Sequence, residues 1–175
     1  MATQDIAFLS ATELGSAIKG KQVSPVEVVE AYLDRIERID PQVNSYITVM
    51  AEYARQEALE AEAAIRRGDY RGPLHGVPIA IKDQIYTKGV LTTDASKIRS
   101  DFIPKYDATV VTNLKKAGAI LLGKLNMSEF AHGEPQSSAF GPARNPWDLT
   151  RSPGVSSTGS GAATAARLCA TSLGE

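Results

Sequence analysis

The segment from residue 76 to residue 83 reads Gly76-Val77-Pro78-Ile79-Ala80-Ile81-Lys82-Asp83. It is a short apolar run that begins at a glycine and ends at a charged pair. A run of this length between turn residues is typical of a strand that is buried on both faces. The segment therefore predicts a buried strand that ends at Lys82.

A second apolar run, Ala119–Leu122, lies further along the chain. The polar stretch Gln84–Lys105 follows the first strand and is predicted to be irregular. Asp107 is then predicted to cap a helix that Gly118 closes. Strand, helix and strand in this order predict a parallel pair joined by a right-handed crossover. The core is therefore predicted to be α/β.

The first part of the chain shows the start signals of helices. The segment Ser10–Glu13 fits a capping box, and the pair Ser24-Pro25 places a cap residue before a proline at the first helical position. Pro41 is expected to end the helix that starts there. A third helix is predicted from about Ile47 to Arg67, where alanine and glutamate are frequent. Together these signals predict an N-terminal helical layer.

Composition excludes several classes of protein. The 175 residues carry a formal net charge of -1 and are 43% hydrophobic, which fits a globular protein and provides no electrostatic basis for binding nucleic acid. Met1–Ser10 lacks the pattern of a secretory signal, and no segment approaches membrane-spanning length. The single cysteine, Cys169, excludes an internal disulfide, so a cytoplasmic setting is expected. His75 and His132 stand alone, and no metal site is predicted.

Two features could carry chemistry, and the residues alone leave the interpretation of each open. Lys82 ends a buried strand, where ligands of open α/β sheets bind and where an amine can become a base. Spacing alone favours the alternative, a lysine that leaves the core for solvent. The segment Pro153–Gly161 has consecutive hydroxyl groups and glycines before a helix of small residues, Ala162–Leu168. It could provide a nucleophile, a proton relay or an anion site, or be only a linker or cap.

The glycine-to-aspartate segment at 76–83 resembles the G-x-P-x-x-x-K-D strand of amidase-signature enzymes. Further matches follow in the order of that family: Thr92-Thr93, Asp107-Ala108, Ala117-Gly118-Ala119, Gly123-Lys124, Asn126-Met127, Glu129-Phe130, Asn145-Pro146-Trp147 and the block from Pro153 to Ser160. The resemblance implies a mixed, mostly parallel sheet between helical layers. It also implies that 1–175 is the N-terminal part of one domain, with a helical layer over 1–72 and an incomplete α/β core over 73–175.

The same resemblance implies a Ser-cisSer-Lys triad. Lys82 would be the base, and Ser156, preceded by a cis peptide bond, would be the serine that bridges it to the nucleophile. Neighbouring residues would support the loop and the substrate: Gly154, Ser157, Thr158 and Gly159. By motif spacing, the nucleophilic serine would lie about five residues beyond Glu175. We therefore expect the 175 residues alone to be inactive.

This chain departs from the family pattern at two positions of the serine block. Val155 and Thr158 stand where glycines are common in G-G-S-S-G-G. Larger side chains there could narrow the loop or disfavour positive φ angles.

Three hypotheses follow from these residues. The first is an amidohydrolase that cleaves a carboxamide through an acyl-enzyme. The second is the A-type subunit of a tRNA-dependent amidotransferase, which hydrolyses glutamine and works with a partner subunit. The third is a truncated, non-catalytic protein. The expected partners are a small amide and either a second copy of the chain or another amidotransferase component; no membrane, direct nucleic-acid partner, metal or cofactor is implied.

Overall fold

A computed structural model describes residues 6–175. Residues 1–5, the start of the predicted helical layer and of the segment tested for a secretory signal, lie outside the described residues. The described elements, in chain order, are α1 (Ala11–Lys19), α2 (Pro25–Val43), β1 (Tyr46–Val49), α3 (Ala51–Arg66), β2 (Pro78–Lys82), α4 (Thr109–Lys116), β3 (Ile120–Leu125), α5 (Thr158–Ala165) and β4 (Thr171–Leu173). Single 3₁₀ turns lie at Lys97–Arg99 and Glu129–Ala131.

The four strands form one mixed sheet in the order β1-β3-β2-β4. β2 is parallel to both of its neighbours, β3 and β4, whereas β1 is antiparallel to β3. The predicted parallel pair and the α/β class are confirmed. Every residue of β2 and β3 is buried, as expected for strands that have neighbours on both sides and are covered on both faces.

The predicted capping box at Ser10 is present, and Ser24, predicted as an N-cap residue, also forms one. Ser10 Oγ accepts from Glu13 N, and the Glu13 carboxylate accepts from Ser10 N at 2.7 Å. Ser24 and Glu27 repeat the arrangement at the start of α2. Each box provides partners for backbone N–H groups that the first turn of a helix leaves free.

The prediction that Pro41 ends α2 is wrong, because the helix continues to Val43. A proline removes only one backbone donor, and near the end of a helix few later turns depend on it. The helix ends instead at Asn44, which has a left-handed conformation and whose N–H donates to Asp40 O at 2.6 Å. The Asp40 carboxylate then accepts bonds from the backbone and hydroxyl of Ser45 and from Tyr46 N, which ties α2 to β1.

The prediction of a helix from Ile47 is wrong at its start. Tyr46–Val49 is the strand β1, and the helix begins at Ala51. Pairing with β3 decides this, since β1 lies antiparallel to it and Met50 N donates to Leu122 O at 2.8 Å. Such long-range hydrogen bonds override local helix propensity. The small buried residues of α3 then let this helix pack against β3.

Two further predictions are corrected near α4 and α5. Asp107 does not cap α4, because Ala108 is the N-cap residue and no side chain bonds there; Asp107 accepts from Lys88 N and Lys115 Nζ instead. The predicted helix of small residues begins at Thr158, within the serine block, and ends at Ala165. The strand β4 was not predicted, because three residues are too few to show a pattern.

Among residues 6–175, no helix is both long enough and apolar enough to cross a membrane.

The contacts of Asp40 lead to a prediction about stability. Asp40→Ala removes the acceptor of the buried Ser45 N–H and hydroxyl groups, so we expect a loss of about 2 kcal/mol or more in the free energy of unfolding. Urea denaturation measures it. The exposed Asp34 on the same helix is the matched control, and Asp34→Ala should change stability by less than about 0.5 kcal/mol. Equal losses in both variants would contradict the proposed role of these hydrogen bonds.

Candidate active site

The site is built around the amine of Lys82. This lysine is the last residue of β2, and it is 0% exposed. Its Nζ donates to Ser156 Oγ at 2.7 Å. The interpretation of Lys82 as a lysine that leaves the core for solvent is therefore wrong. The strand and the serine block, distant in sequence, meet at the carboxyl edge of the sheet.

The segment that follows β3 holds the serine block in place. Ser128 N donates to Ser156 O at 2.9 Å, and Gly159 N donates to Asn126 O at 2.8 Å. Residues 126–128 thus run beside the serine block. The Val155–Ser156 peptide bond is cis, as the family resemblance implies. Because β3 pairs with β2, the same pair of strands positions both Lys82 and Ser156.

Gly159 allows this close approach. A Cβ atom at this position would lie 2.4 Å from Asn126 N and 2.4 Å from Ser45 O. Both are backbone atoms that cannot swing away as a side chain can. A glycine is therefore required where α5 passes the end of β3 and the start of β1.

The other predicted loop residues lie near this pair and form no side-chain hydrogen bond with Lys82. Ser157 Oγ donates to Glu175 O at 3.0 Å and accepts from Glu175 N at 3.1 Å. Thr158 is buried, and its hydroxyl has no hydrogen-bond partner in residues 6–175. Gly154 has a positive φ and open space around it. Val155 and Thr158 have no positive φ, so their side chains do not oppose the backbone conformation seen here.

Glu175 is a site residue that the sequence interpretation missed. Its Oε1 lies 3.1 Å from Lys82 Nζ, and its Oε2 accepts from Gln84 Nε2 at 2.7 Å. The hydrogen bond from Lys82 lowers the pKa of the Glu175 carboxyl group. A lone glutamate after a glycine has no pattern that could have indicated this contact.

Other polar residues that drew attention have structural surroundings. His75 is buried, and its Nδ1 accepts from Arg71 N at 3.1 Å. Cys169 is buried, which raises the pKa of its thiol to about 12, so it is not an activated nucleophile. Asp83 organises the neighbouring loop through its bonds to Thr93. Within residues 6–175, no group of three or more His, Cys, Asp and Glu side chains could hold a metal ion.

The structure is that of an α/β protein in which a buried lysine is hydrogen-bonded to a serine at the carboxyl edge of a mixed sheet. Such a Ser–Lys pair occurs in variants of the serine triad. Comparison with known families gives the particular one. The family model described as Amidase matches residues 27–175. The chain therefore belongs to the amidase family.

Similar proteins and solved structures support the assignment to the amidase family. The A-type subunit of the glutamyl-tRNA(Gln) amidotransferase of Carboxydothermus hydrogenoformans is 49% identical over 97% of this chain, which covers 35% of that relative. The peptide amidase of Stenotrophomonas maltophilia has a TM-score of 0.88 at 35% identity, over 93% of this chain and 35% of its own. A fatty acid amide hydrolase has a TM-score of 0.93 at 28% identity, over 98% of this chain and 31% of its own. The chain spans about a third of the length of the curated relatives it matches.

Gly159→Ala tests the close packing at the site. The added methyl group has backbone atoms in its way, so we expect a loss of about 1–3 kcal/mol in the free energy of unfolding. Gly20→Ala is the control, because Gly20 has a negative φ and its nearest atom, Ser16 O, would lie 3.3 Å from the new methyl group. A stable Gly159→Ala protein in urea denaturation would show that α5 can move away from Asn126.

Proposed function

We propose that this chain carries the base and the bridging serine of an amidohydrolase that cleaves carboxamide C–N bonds through an acyl-enzyme. The observation that carries the proposal is the 2.7 Å contact between Lys82 Nζ and Ser156 Oγ. A lysine with no exposure to solvent is costly unless it is paired, or neutral and used as a base. Membership of the amidase family supports the choice of an amide as substrate.

The proposed reaction passes a proton along this contact. A neutral Lys82 amine accepts the proton of the Ser156 hydroxyl, while Ser156 takes a proton from the nucleophilic serine that attacks the amide carbon. The tetrahedral intermediate collapses as the C–N bond breaks, and the proton returns through Ser156 to the leaving amine. Water then releases the acid by the same route.

The nucleophile and the oxyanion hole are proposed to come from the region that the longer relatives have in addition. The chain spans about a third of their length. Among the serines of residues 6–175, Ser156 is the one that is hydrogen-bonded to Lys82. We propose that 1–175 is the N-terminal part of a single domain, in which 1–72 form a mainly helical part that also contributes β1 to the sheet and 73–175 form the start of the α/β core. Oxyanion stabilisation is usually the largest catalytic contribution, so the 175 residues alone should be inactive.

A second candidate function is the glutaminase subunit of a tRNA-dependent amidotransferase. The observation in its favour is the 49% identity to the A-type subunit of such an enzyme. It would need a partner subunit, and the proposed setting of either candidate is the cytoplasm. Ammonia release from glutamine that rises when a co-purified partner is present would favour this candidate. Release from simple carboxamides by the isolated protein would favour the first.

Lys82→Ala and Ser156→Ala test the proposed proton path. In the protein as its gene encodes it, we expect each variant to lower kcat by on the order of 10²–10⁴-fold, because each removes a step of general acid–base catalysis. Release of ammonia from a panel of small amides and glutamine provides the measurement. Circular dichroism verifies that both variants fold.

Matched controls exist for both substitutions. Lys116 and Ser16 are exposed, and the one side-chain hydrogen bond that either forms within residues 6–175 is that of Ser16 Oγ to Thr12 O, outside the site, so Lys116→Ala and Ser16→Ala should retain activity. Full activity in Lys82→Ala would exclude the base assignment. Activity of the 175-residue chain alone, abolished by Ser156→Ala, would instead make Ser156 the nucleophile.

Lys82→Ala also tests the contact with Glu175. The hydrogen bond from Lys82 lowers the pKa of the Glu175 carboxyl group, so its loss should raise that pKa. An NMR titration of the Glu175 carboxyl group provides the measurement. Lys116→Ala, which alters an exposed lysine, is the control and should leave the Glu175 titration unchanged. An equal titration of Glu175 in the unaltered protein and in Lys82→Ala would show that the two side chains do not interact.

A further inference from the structure

A second buried lysine lies beside the site and takes no part in the proposed reaction. Lys124, in β3, is 0% exposed and sits opposite Ile81 of β2. Its Nζ donates to three oxygen atoms: Asp83 O at 3.2 Å, Ile85 O at 2.7 Å and Thr92 Oγ1 at 2.7 Å. An ammonium group has three N–H donors, and all three are used here.

These bonds hold the turn by which the chain leaves Lys82. Asp83 N donates to Leu125 O at 2.9 Å and extends the pairing of β2 with β3 by one residue. Ile85 N donates back to Lys82 O at 3.0 Å. The Asp83 and Ile85 carbonyls of the same turn point at Lys124. Lys124 therefore holds the backbone that follows Lys82 in place through these two carbonyl groups.

A carboxylate balances the buried charge and makes a second tie. Asp83 Oδ1 lies 3.9 Å from Lys124 Nζ, and Asp83 Oδ2 accepts from Thr93 N at 2.8 Å and from Thr93 Oγ1 at 2.5 Å. Lys124 and Asp83 thus join residues 83–85 to residues 92–93. An apolar side chain in place of Lys124 would leave two carbonyls and one hydroxyl group buried without this donor, which is costly.

The arrangement needs the charged form of Lys124. Burial lowers the pKa of its amine to about 8, while the neighbouring Asp83 and Asp94 carboxylates raise it and Arg99 lowers it. The amine therefore remains mostly protonated at pH 7. A neutral amine has one donor fewer and could not serve all three oxygen atoms.

We propose that Lys124 is a positioning residue for the reaction, which holds the turn at residues 82–85 so that the Lys82 amine meets the Ser156 hydroxyl. This inference rests on the proposed function. Lys124 acts through the backbone and touches no reacting atom. Small displacements of a positioned group can lower a rate by on the order of 100-fold.

Lys124→Met tests this role in the protein as its gene encodes it. Methionine has a similar length and no donors. We expect kcat to fall by about 10–100-fold with KM changed by less than about 3-fold, because the amine is misplaced while substrate contacts remain. Hydrogen exchange of the amides at 83–93 should become faster, and exchange in α1 should not.

The control separates positioning from general stability. Leu14 is fully buried in α1, and Leu14→Ala should lower the free energy of unfolding by about 2–5 kcal/mol without changing kcat at a temperature where it is folded. An equal fall of kcat in Leu14→Ala, or unchanged kcat in Lys124→Met, overturns the inference.

A milder pair covers the case in which Lys124→Met does not fold. Thr92→Val removes one of the three acceptors, whereas Thr92→Ser keeps the hydroxyl group. We expect a several-fold fall of kcat in the valine variant and recovery in the serine variant; equal kcat in both overturns the inference.

Full activity in Lys82→Ala would overturn the proposed function and the positioning role together. An inactive Lys82→Ala with an unaffected Lys124→Met would overturn the positioning role alone.

Discussion

The burial of the Lys82 amine is the constraint on which the surrounding structure depends. A primary amine without contact to solvent requires hydrogen-bond partners that the protein itself supplies. Here those partners are Ser156 Oγ and the Glu175 carboxylate. The serine block must therefore reach the end of β2, and its glycine at 159 must let α5 pass within contact of the β3 backbone.

β2 can place an amine in this environment because it is an inner strand. It pairs in parallel with β3 on one side and β4 on the other, so all of its side chains are buried. The carboxyl ends of parallel strands meet at one edge, which is where open α/β sheets bind their ligands. Segment 126–128 leaves β3 at that same edge and bonds to the serine block. One pair of strands thus orients both members of the proposed proton path.

Two buried lysines on adjacent strands have different surroundings, and the difference accounts for their proposed roles. The three N–H donors of Lys124 bind two carbonyls and a hydroxyl group, so none remains for another partner. Lys82 contacts a serine hydroxyl and an exposed carboxylate, and the hydroxyl group can pass a proton to it. The first arrangement suits a fixed charge that holds a turn, and the contact with the hydroxyl group suits a base.

Local patterns in the sequence determined the buried strands, the two N-cap serines, the α/β class and, by resemblance to a family, the candidates Lys82 and Ser156. These features depend on neighbouring residues or on an ordered set of motifs, so they are visible without a fold. Only the tertiary structure decided that Tyr46–Val49 pairs as a strand, that β4 exists, that Pro41 lies within α2, and that Glu175 and Lys124 flank the site. The position of Pro41 follows from the small loss of one donor near a helix end. The others depend on hydrogen bonds between segments distant in sequence, which leave no periodic signal along the chain.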